Sequence, residues 1–440
     1  MTEFGIAATV AISIAAIVVA LRMPGGCLRY SFLCSALYLA WVVPQVAALR
    51  VDDATPQDGL FWLVIMVVLC LGASLVGWRI GLMQRRPIAS VASVRGDIDV
   101  VRLFWPVAAL TAFMALLHIL IDLQPLEARQ ESQWSGPLTI IAFFLTLGVI
   151  GLYLSLFIAL RERSPRALML AGVNIVLGGA AAFVGLRRGP LIEFGIAATA
   201  ALWFCARKRV PIWLLVAGVV GSGVVIYAIG PLRSAASEIA ERAGSSAGLL
   251  SIEVWQQVDF AAEIERATRQ AADFSNAVHL IDSANRWGVF TYGRQSWDAF
   301  VFRWVPAQIL GADFKSALMF QQTVDWGQIE ANYGYTTIGG TTSTGFGFAY
   351  QEFGLFGSFY FLLIGILIGR LWSRAETGDV WAQALYATFA GSALHSVTHH
   401  AMWLIVQIPL FLLAIFILRL MAGRGTRYQG PGRGYPLAGR

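Results

Sequence analysis

Apolar runs of about twenty residues, separated by short polar or charged turns, fill most of this 440-residue chain. A helix rises about 1.5 Å per residue, so a run of that length spans about 30 Å of hydrocarbon. The runs predict eleven spanning helices, at 3–22, 28–49, 60–83, 102–121, 137–160, 166–186, 190–206, 212–230, 353–371, 380–397 and 401–421. The first run has no basic leader and begins Met1-Thr2-Glu3, so it reads as a retained helix rather than a signal peptide. The stretch 231–345 breaks the pattern. In its first half, from Ser234 to about Asn285, Val254, Val258, Ala262 and Ile264 recur among charges at roughly helical spacing, which predicts amphipathic helix. The second half is rich in Gly, Trp and Tyr and predicts loops with short helices. The chain therefore divides into a bundle at 1–230, a large loop at 231–345, C-terminal spans at 346–421 and a Gly- and Arg-rich tail at 422–440.

Composition sharpens this reading. Hydrophobic residues make up 57% and charged residues 13%, against about 25% charged in a soluble domain. With a mean hydropathy of +0.66, an all-α polytopic integral membrane protein is expected. A single water-facing domain, a disordered chain and a collagen-like repeat are excluded. The net charge is +6, and Lys208 and Lys315 are the only lysines. Arginines gather in alternate loops, at Arg22 and Arg29, Arg85 and Arg86, Arg161 and Arg163, Arg207 and Arg209, Arg370 and Arg374, and in the tail. The intervening loops carry Asp52, Asp53 and Asp58, or a mixed set around Asp122 and Glu127. Basic loops stay cytoplasmic. The expected orientation puts the N-terminus outside, the C-terminus in the cytoplasm and 231–345 on the extracytoplasmic side. The cysteines Cys27, Cys34, Cys70 and Cys205 form no CxxC pattern.

One turn breaks the charge rule. Gly185-Leu186-Arg187-Arg188-Gly189-Pro190 joins two spans on the expected outer face, where two arginines are out of place. Pro190 suits a first helical turn. A helix start there offers free N–H groups and the positive end of a dipole. Arg187 and Arg188 beside it suit phosphate or pyrophosphate, whereas snorkelling to lipid headgroups is the plainer reading. Glu193, one turn further, pairs with one of these arginines or acts as a base. Asn174, Gly178 and Gly179 read as helix-packing residues.

All five histidines fall at or beyond the expected outer face. His395 and His399 share a helical face, and His400 adjoins them. They suit general-base or donor roles beside an anion, or an interfacial polar cap. No HExxH accompanies them. Within the large loop, Arg294, Arg303 and Lys315 lie among Tyr292, Trp297, Phe300 and Trp304. Aromatic faces suit sugars and interfacial anchoring alike. The run from Gly339 to Gly354 is hydroxyl-rich, lacks the Lys-Ser/Thr of a Walker A loop, and carries Tyr350 and Glu352 to the membrane edge. A carboxylate at that depth needs a partner, and an arginine is expected. No cytoplasmic loop is long enough for a nucleotide-binding domain, so a donor substrate would arrive on a lipid.

The run Tyr292-Gly293-Arg294, then Trp304-Val305-Pro306 and Lys315, then Thr344 through Gly357, resembles the Wzy-type oligosaccharide repeat-unit polymerases of bacterial envelopes. The Arg-Arg-Gly turn at 187–189 looks like that family's Arg-Gly element, and the likeness covers about the C-terminal two thirds of the chain. Val305-Pro306-Ala307 departs from it, since members often carry Pro followed by Arg. The resemblance implies a GT-C-like fold and a metal-independent glycosyltransferase needing no cofactor, in the bacterial cytoplasmic membrane. Its substrates would be undecaprenyl pyrophosphate-linked oligosaccharides, with a chain-length regulator and a flippase as partners. On that footing Arg187, Arg188 and Arg294 hold pyrophosphate. Glu352, His395, His399 or His400 acts on the acceptor hydroxyl. Arg303, Lys315, Trp297, Trp304 and Tyr350 face the glycan. An O-antigen ligase, a transporter and an envelope scaffold are the competing readings. A transporter would carry inverted repeats and midplane charges, and the sequence shows no repeat.

Overall fold

The computed structural model describes residues 2–83, 99–123, 137–179, 188–206, 271–321, 324–337 and 341–423. Among them the chain is all-helical, without a strand. The helices are α1 (Thr2–Leu21), α2 (Tyr30–Leu49), α3 (Gln57–Met83), α4 (Val100–Asp122), α5 (Pro137–Leu145), α6 (Gly148–Glu162), α7 (Pro165–Gly179) and α8 (Arg188–Ala206). After the large loop's first part come α9 (Ala272–Trp287), α10 (Arg294–Trp304), α11 (Ala307–Leu310), α12 (Ala312–Leu318) and α13 (Trp326–Tyr333). The chain closes with α14 (Thr344–Phe353), α15 (Phe359–Glu376), α16 (Val380–Thr398) and α17 (Trp403–Ala422).

Eight helical stretches among the described residues are long and apolar enough to cross a membrane, so the protein is polytopic. The eleven expected spans fare differently. Residues 212–230 lie outside the described residues, as does most of the amphipathic half of the loop. The span expected at 166–186 is described only as the 15-residue α7. The span expected at 353–371 begins earlier, at Thr344, and is interrupted by a tight 3-10 turn at Gly354–Ser358. The span expected at 380–397 is α16, whose Gln383, Thr388, Ser392, His395 and Ser396 lower its hydropathy. Those polar groups are tolerable because α16 is the central post, buried along almost its whole length among α6, α8, α15 and α17.

Three local devices shape the bundle. Pro44 lacks the N–H that would bond one turn back, and α2 widens into a π turn at Tyr38–Val42 just before it. Asp99 and Asp379 cap α4 and α16, each accepting two backbone N–H bonds. Helices α3 and α15 close along a seam of four glycines, Gly77 and Gly81 facing Gly365 and Gly369. Any Cβ at these four positions would run into backbone of the opposite helix. That is the GxxxG logic of membrane helix pairs, in which packing replaces an absent hydrophobic driving force.

The bundle has two distinguishable ends. At one, Arg29 of the α1–α2 turn pairs with Glu376 at 3.2 Å. At the other, Glu3 pairs with Arg50, and the large loop folds down into the helices. Helix α9 is buried from Phe274 to Ala284, against the starts of α3 and α14, where Gly59 and Gly347 meet Val278 and Ala277. The α16–α17 turn with its histidines lies at this second end, tied to α9 through Thr342, which bonds both Asp273 and the Thr398 carbonyl.

Candidate functional site

The first turn of α8 meets the last turns of α16. Gly189 makes this possible, because a Cβ there would overlap Cε1 and Nε2 of His395. Gly391 does the same from α16, where a Cβ would overlap the Glu193 side chain. Through these two gaps Glu193 comes within 3.4 Å of His395, Oε1 to Nδ1. The single Ser392 hydroxyl proton is shared between Gln407 Oε1 at 3.1 Å and Glu193 Oε1 at 3.4 Å. Glu193 therefore faces a histidine, while the side chains of Arg187 and Arg188, also expected as its partners, lie outside the described residues. The two groups stand in ion-pair range, without a hydrogen bond at His395 Nδ1.

His399 stands edge-on to His395 with ring centres 5.3 Å apart, and Trp403 packs against both at 5.5 and 5.7 Å. The Thr398 hydroxyl lies 2.7 Å from His399 Nδ1. Arg303 reaches the same place from α10. Its guanidinium carbon lies 4.8 Å from the Phe143 ring centre and 5.8 Å from that of Trp403. Trp304 fixes this approach by donating from Nε1 to the Val406 carbonyl of α17 at 2.9 Å. Burial pushes the Arg303 pKa down to about 10, so the group stays cationic at neutral pH. Among the described residues Arg303 has no carboxylate partner, and its Nε makes no hydrogen bond. Among the described residues, aromatic faces hold it.

Arg188 is the first residue of α8, adjoining Gly189. Its side chain and the whole of Arg187 lie outside the described residues. The structure thus brings Arg188, Glu193, His395, His399 and Arg303 to one locality. A helix start, a nearby cation and two imidazoles can hold an anion and accept a proton. Among the described residues no three His, Cys, Asp or Glu side chains are grouped to hold a metal ion.

The other predicted site residues go elsewhere. Glu352 is fully buried and accepts the Ser296 backbone N–H at 2.9 Å, capping the start of α10 in place of the arginine pairing expected from its depth. Tyr350 is buried against Trp62 and Phe290 and donates to Asn285 Oδ1 at 2.8 Å. His400 packs on Phe348, and its Nδ1 accepts the Met402 N–H at 3.2 Å. Burial pushes its pKa down to about 3, leaving it neutral. Lys315 donates to the Phe302 carbonyl at 2.9 Å, over the Phe302 ring, closing the end of α10. Trp297 bonds the Leu318 carbonyl at 2.8 Å, and Arg294 lies over Phe320 at 5.8 Å. These last three knit α10 to α12 and the residues just after it. Trp297, Phe300 and Trp304 stack along α10 at 6.1 and 6.2 Å.

Sequence reasoning missed Ser392, Gln407 and Trp403. Gln407 had a signal, being a lone amide within an apolar span. Gly189 stood within the quoted turn, but its contact with His395 depends on a distant helix. No family model matches the chain, and comparison with curated proteins and with solved structures likewise finds no match.

Proposed function

We propose that this protein is a membrane-embedded glycosyltransferase that polymerises lipid-linked oligosaccharides. It would take a glycan on undecaprenyl pyrophosphate and pass it to a hydroxyl of a second lipid-linked repeat unit. The observation that carries the proposal is Arg303, a cation held on aromatic faces with no carboxylate beside it among the described residues, next to His395, His399 and the start of α8. A cation in that state favours an anionic ligand, because neighbouring low-dielectric groups strengthen the attraction.

In this reaction the acceptor oxygen forms a bond to the anomeric carbon. The bond from that carbon to the pyrophosphate oxygen breaks, and its electron pair leaves with the lipid pyrophosphate. Arg303, Arg188 and the α8 N–H groups stabilise the charge that develops there. His395, with Glu193 beside it, takes the acceptor proton. The donor and acceptor lipids enter between helices, and the glycans lie under the large loop. The reaction face is the outer face of the bacterial cytoplasmic membrane, in keeping with the distribution of arginines along the chain. A flippase would deliver the substrates, and a chain-length regulator would act alongside.

The test is a gel of surface polysaccharide from a strain lacking the gene, complemented with wild type, Arg303→Ala or His395→Ala. Wild type restores the long ladder, and both variants leave single repeat units. An unchanged ladder in the deletion strain overturns the proposal. Long polymer retained on the carrier lipid would instead assign the ligase reaction.

A further inference from the structure

A second recess lies at the same end of the bundle, away from the Arg303 cluster. It is an open cavity of about 250 Å³ between the α2–α3 turn, helix α9 and the segment after α13. Asp52, Ala54, Ser275, His279, Tyr333 and Tyr335 form most of its wall. Binding pockets for drug-sized ligands run to about 300–1,000 Å³, so this one suits a single small group.

The wall is rigid. His279 and Tyr335 stack with ring centres 3.9 Å apart and planes 10° apart, and Tyr333 packs edge-on at 5.3 Å. Both phenols are anchored, Tyr335 donating to Asn276 Oδ1 at 2.7 Å and Tyr333 to Asp282 Oδ2 at 2.6 Å. The Ser275 carbonyl lies 2.8 Å from His279 Nδ1. A carbonyl only accepts, so Nδ1 carries the proton and Nε2 of the neutral ring is an acceptor. Asp52 accepts from the Ala54 N–H at 3.2 Å and the Thr55 hydroxyl at 2.8 Å. A carboxylate has about four acceptor positions, so it keeps capacity for more.

Among the described residues, the wall thus offers the acceptors Asp52 and His279 Nε2 beside aromatic rings, and no Lys or Arg. Such a lining repels phosphate. It suits a group with several donors and an apolar edge, which describes a sugar ring with its hydroxyls or a protonated amine. We propose that this cavity is a glycan subsite, in which His279 Nε2 and the Asp52 carboxylate accept from one sugar residue seated against Tyr333 and Tyr335. The preference for a sugar over another polyhydroxylated group rests on the function proposed above, while the binding itself does not require turnover. Thr342 links the subsite to the Arg303 cluster, since it bonds Asp273 at the start of α9 and the Thr398 carbonyl beside His399. A glycan could then be held at one recess while its pyrophosphate end lies at the other.

The experiment is saturation-transfer NMR on the full chain in phosphocholine micelles, with methyl glucoside, methyl galactoside and methyl glucosaminide at millimolar concentration. At least one glycoside receives transfer from wild type. Transfer falls about fivefold or more in His279→Phe, the loss of about one hydrogen bond. Ala54→Trp, at an exposed turn position, fills the recess while leaving the stacked rings unsubstituted and gives the same loss. Added inorganic pyrophosphate leaves transfer intact. Absence of transfer from all three glycosides, equal transfer in wild type and Ala54→Trp, or displacement by pyrophosphate would each overturn the subsite. A strain whose ladder is unaffected by Arg303→Ala, with glycoside binding intact, would sink the polymerase reading and leave the subsite standing.

Discussion

Two helix pairs in this molecule meet across glycines, and they put the close approach to opposite uses. Between α3 and α15, Gly77, Gly81, Gly365 and Gly369 bring backbone against backbone along several turns. Between α8 and α16, Gly189 and Gly391 bring backbone against the side chains of His395 and Glu193. The first seam is apolar, and its contribution is dispersion between closely packed atoms. The second opens just enough space to bring an imidazole, a carboxylate, Ser392 and Gln407 together inside the bundle. Removing a Cβ therefore stabilises a fold in one place and seats polar groups in the other.

Breaking the first seam has the largest expected effect. Gly365→Leu drives a side chain into the Ser74 carbonyl and the Trp78 backbone, and neither helix can retreat without opening the rest of the contact. A loss of about 3 kcal/mol or more is expected, read as a fall in thermal unfolding midpoint and in the yield of folded protein. A midpoint unchanged within error would show that the seam is not tight.

Gly189→Ala sharpens the contrast. The added methyl meets the edge of one side chain, His395, so the ring moves and the fold persists. The expected outcome is a thermal midpoint within a few degrees of wild type, with the proposed polymerising activity down about 100-fold, the usual effect of misplacing a catalytic group by about 1 Å. A variant that loses stability as Gly365→Leu does would mean that the two seams are alike after all.

The histidine end also carries a pH signature that the glycine seam lacks. His400 has a pKa of about 3 in the folded protein against an ordinary 6.5. The unfolded chain therefore binds the proton first, and stability present above pH 6.5 is lost as the pH falls towards 3. His400→Leu is expected to flatten that dependence in acid unfolding curves, and an unchanged pH slope would contradict the burial of the ring.

The smallest effect concerns Asn174. Its amide donates to Thr111 Oγ1 at 2.8 Å and to the Leu170 carbonyl at 3.0 Å. Interhelical hydrogen bonds of this kind average about 0.6 kcal/mol in membranes, so Asn174→Leu should shift the unfolding midpoint by only a degree or two.

Asn174 was legible as a packing residue because an amide within an apolar run has few other roles. Glu352 shows the opposite case. Its depth and charge pointed to an arginine, whereas the Ser296 N–H at the start of α10 holds it. Helix starts are not visible as partners until the fold aims one at the carboxylate. Lys315 and Trp297 likewise read as ligand-facing residues, and in the structure they bond carbonyls of Phe302 and Leu318. An exposed cation or indole has the same sequence signature whether it meets a sugar or its own backbone. Glu193 was singled out as needing a partner, and one stands 202 residues along the chain, at His395.

The sequence by itself determined that this is a polytopic helical membrane protein, and it located most of the spans. Transfer of a helix into hydrocarbon is a sum of local residue terms, so a window of about twenty residues contains the answer. It also placed the histidines and Arg303 on the same side of the bundle, since helix length and turn order set which end a residue reaches. Only the tertiary structure decided that α16, the least apolar of the expected spans, is the central post, and that Glu193, His395, His399 and Arg303 share one locality. Those outcomes depend on which helices touch and at what height, and contact between distant segments is set by shape and by the satisfaction of buried polar groups. Neither quantity is a property of any one stretch of chain.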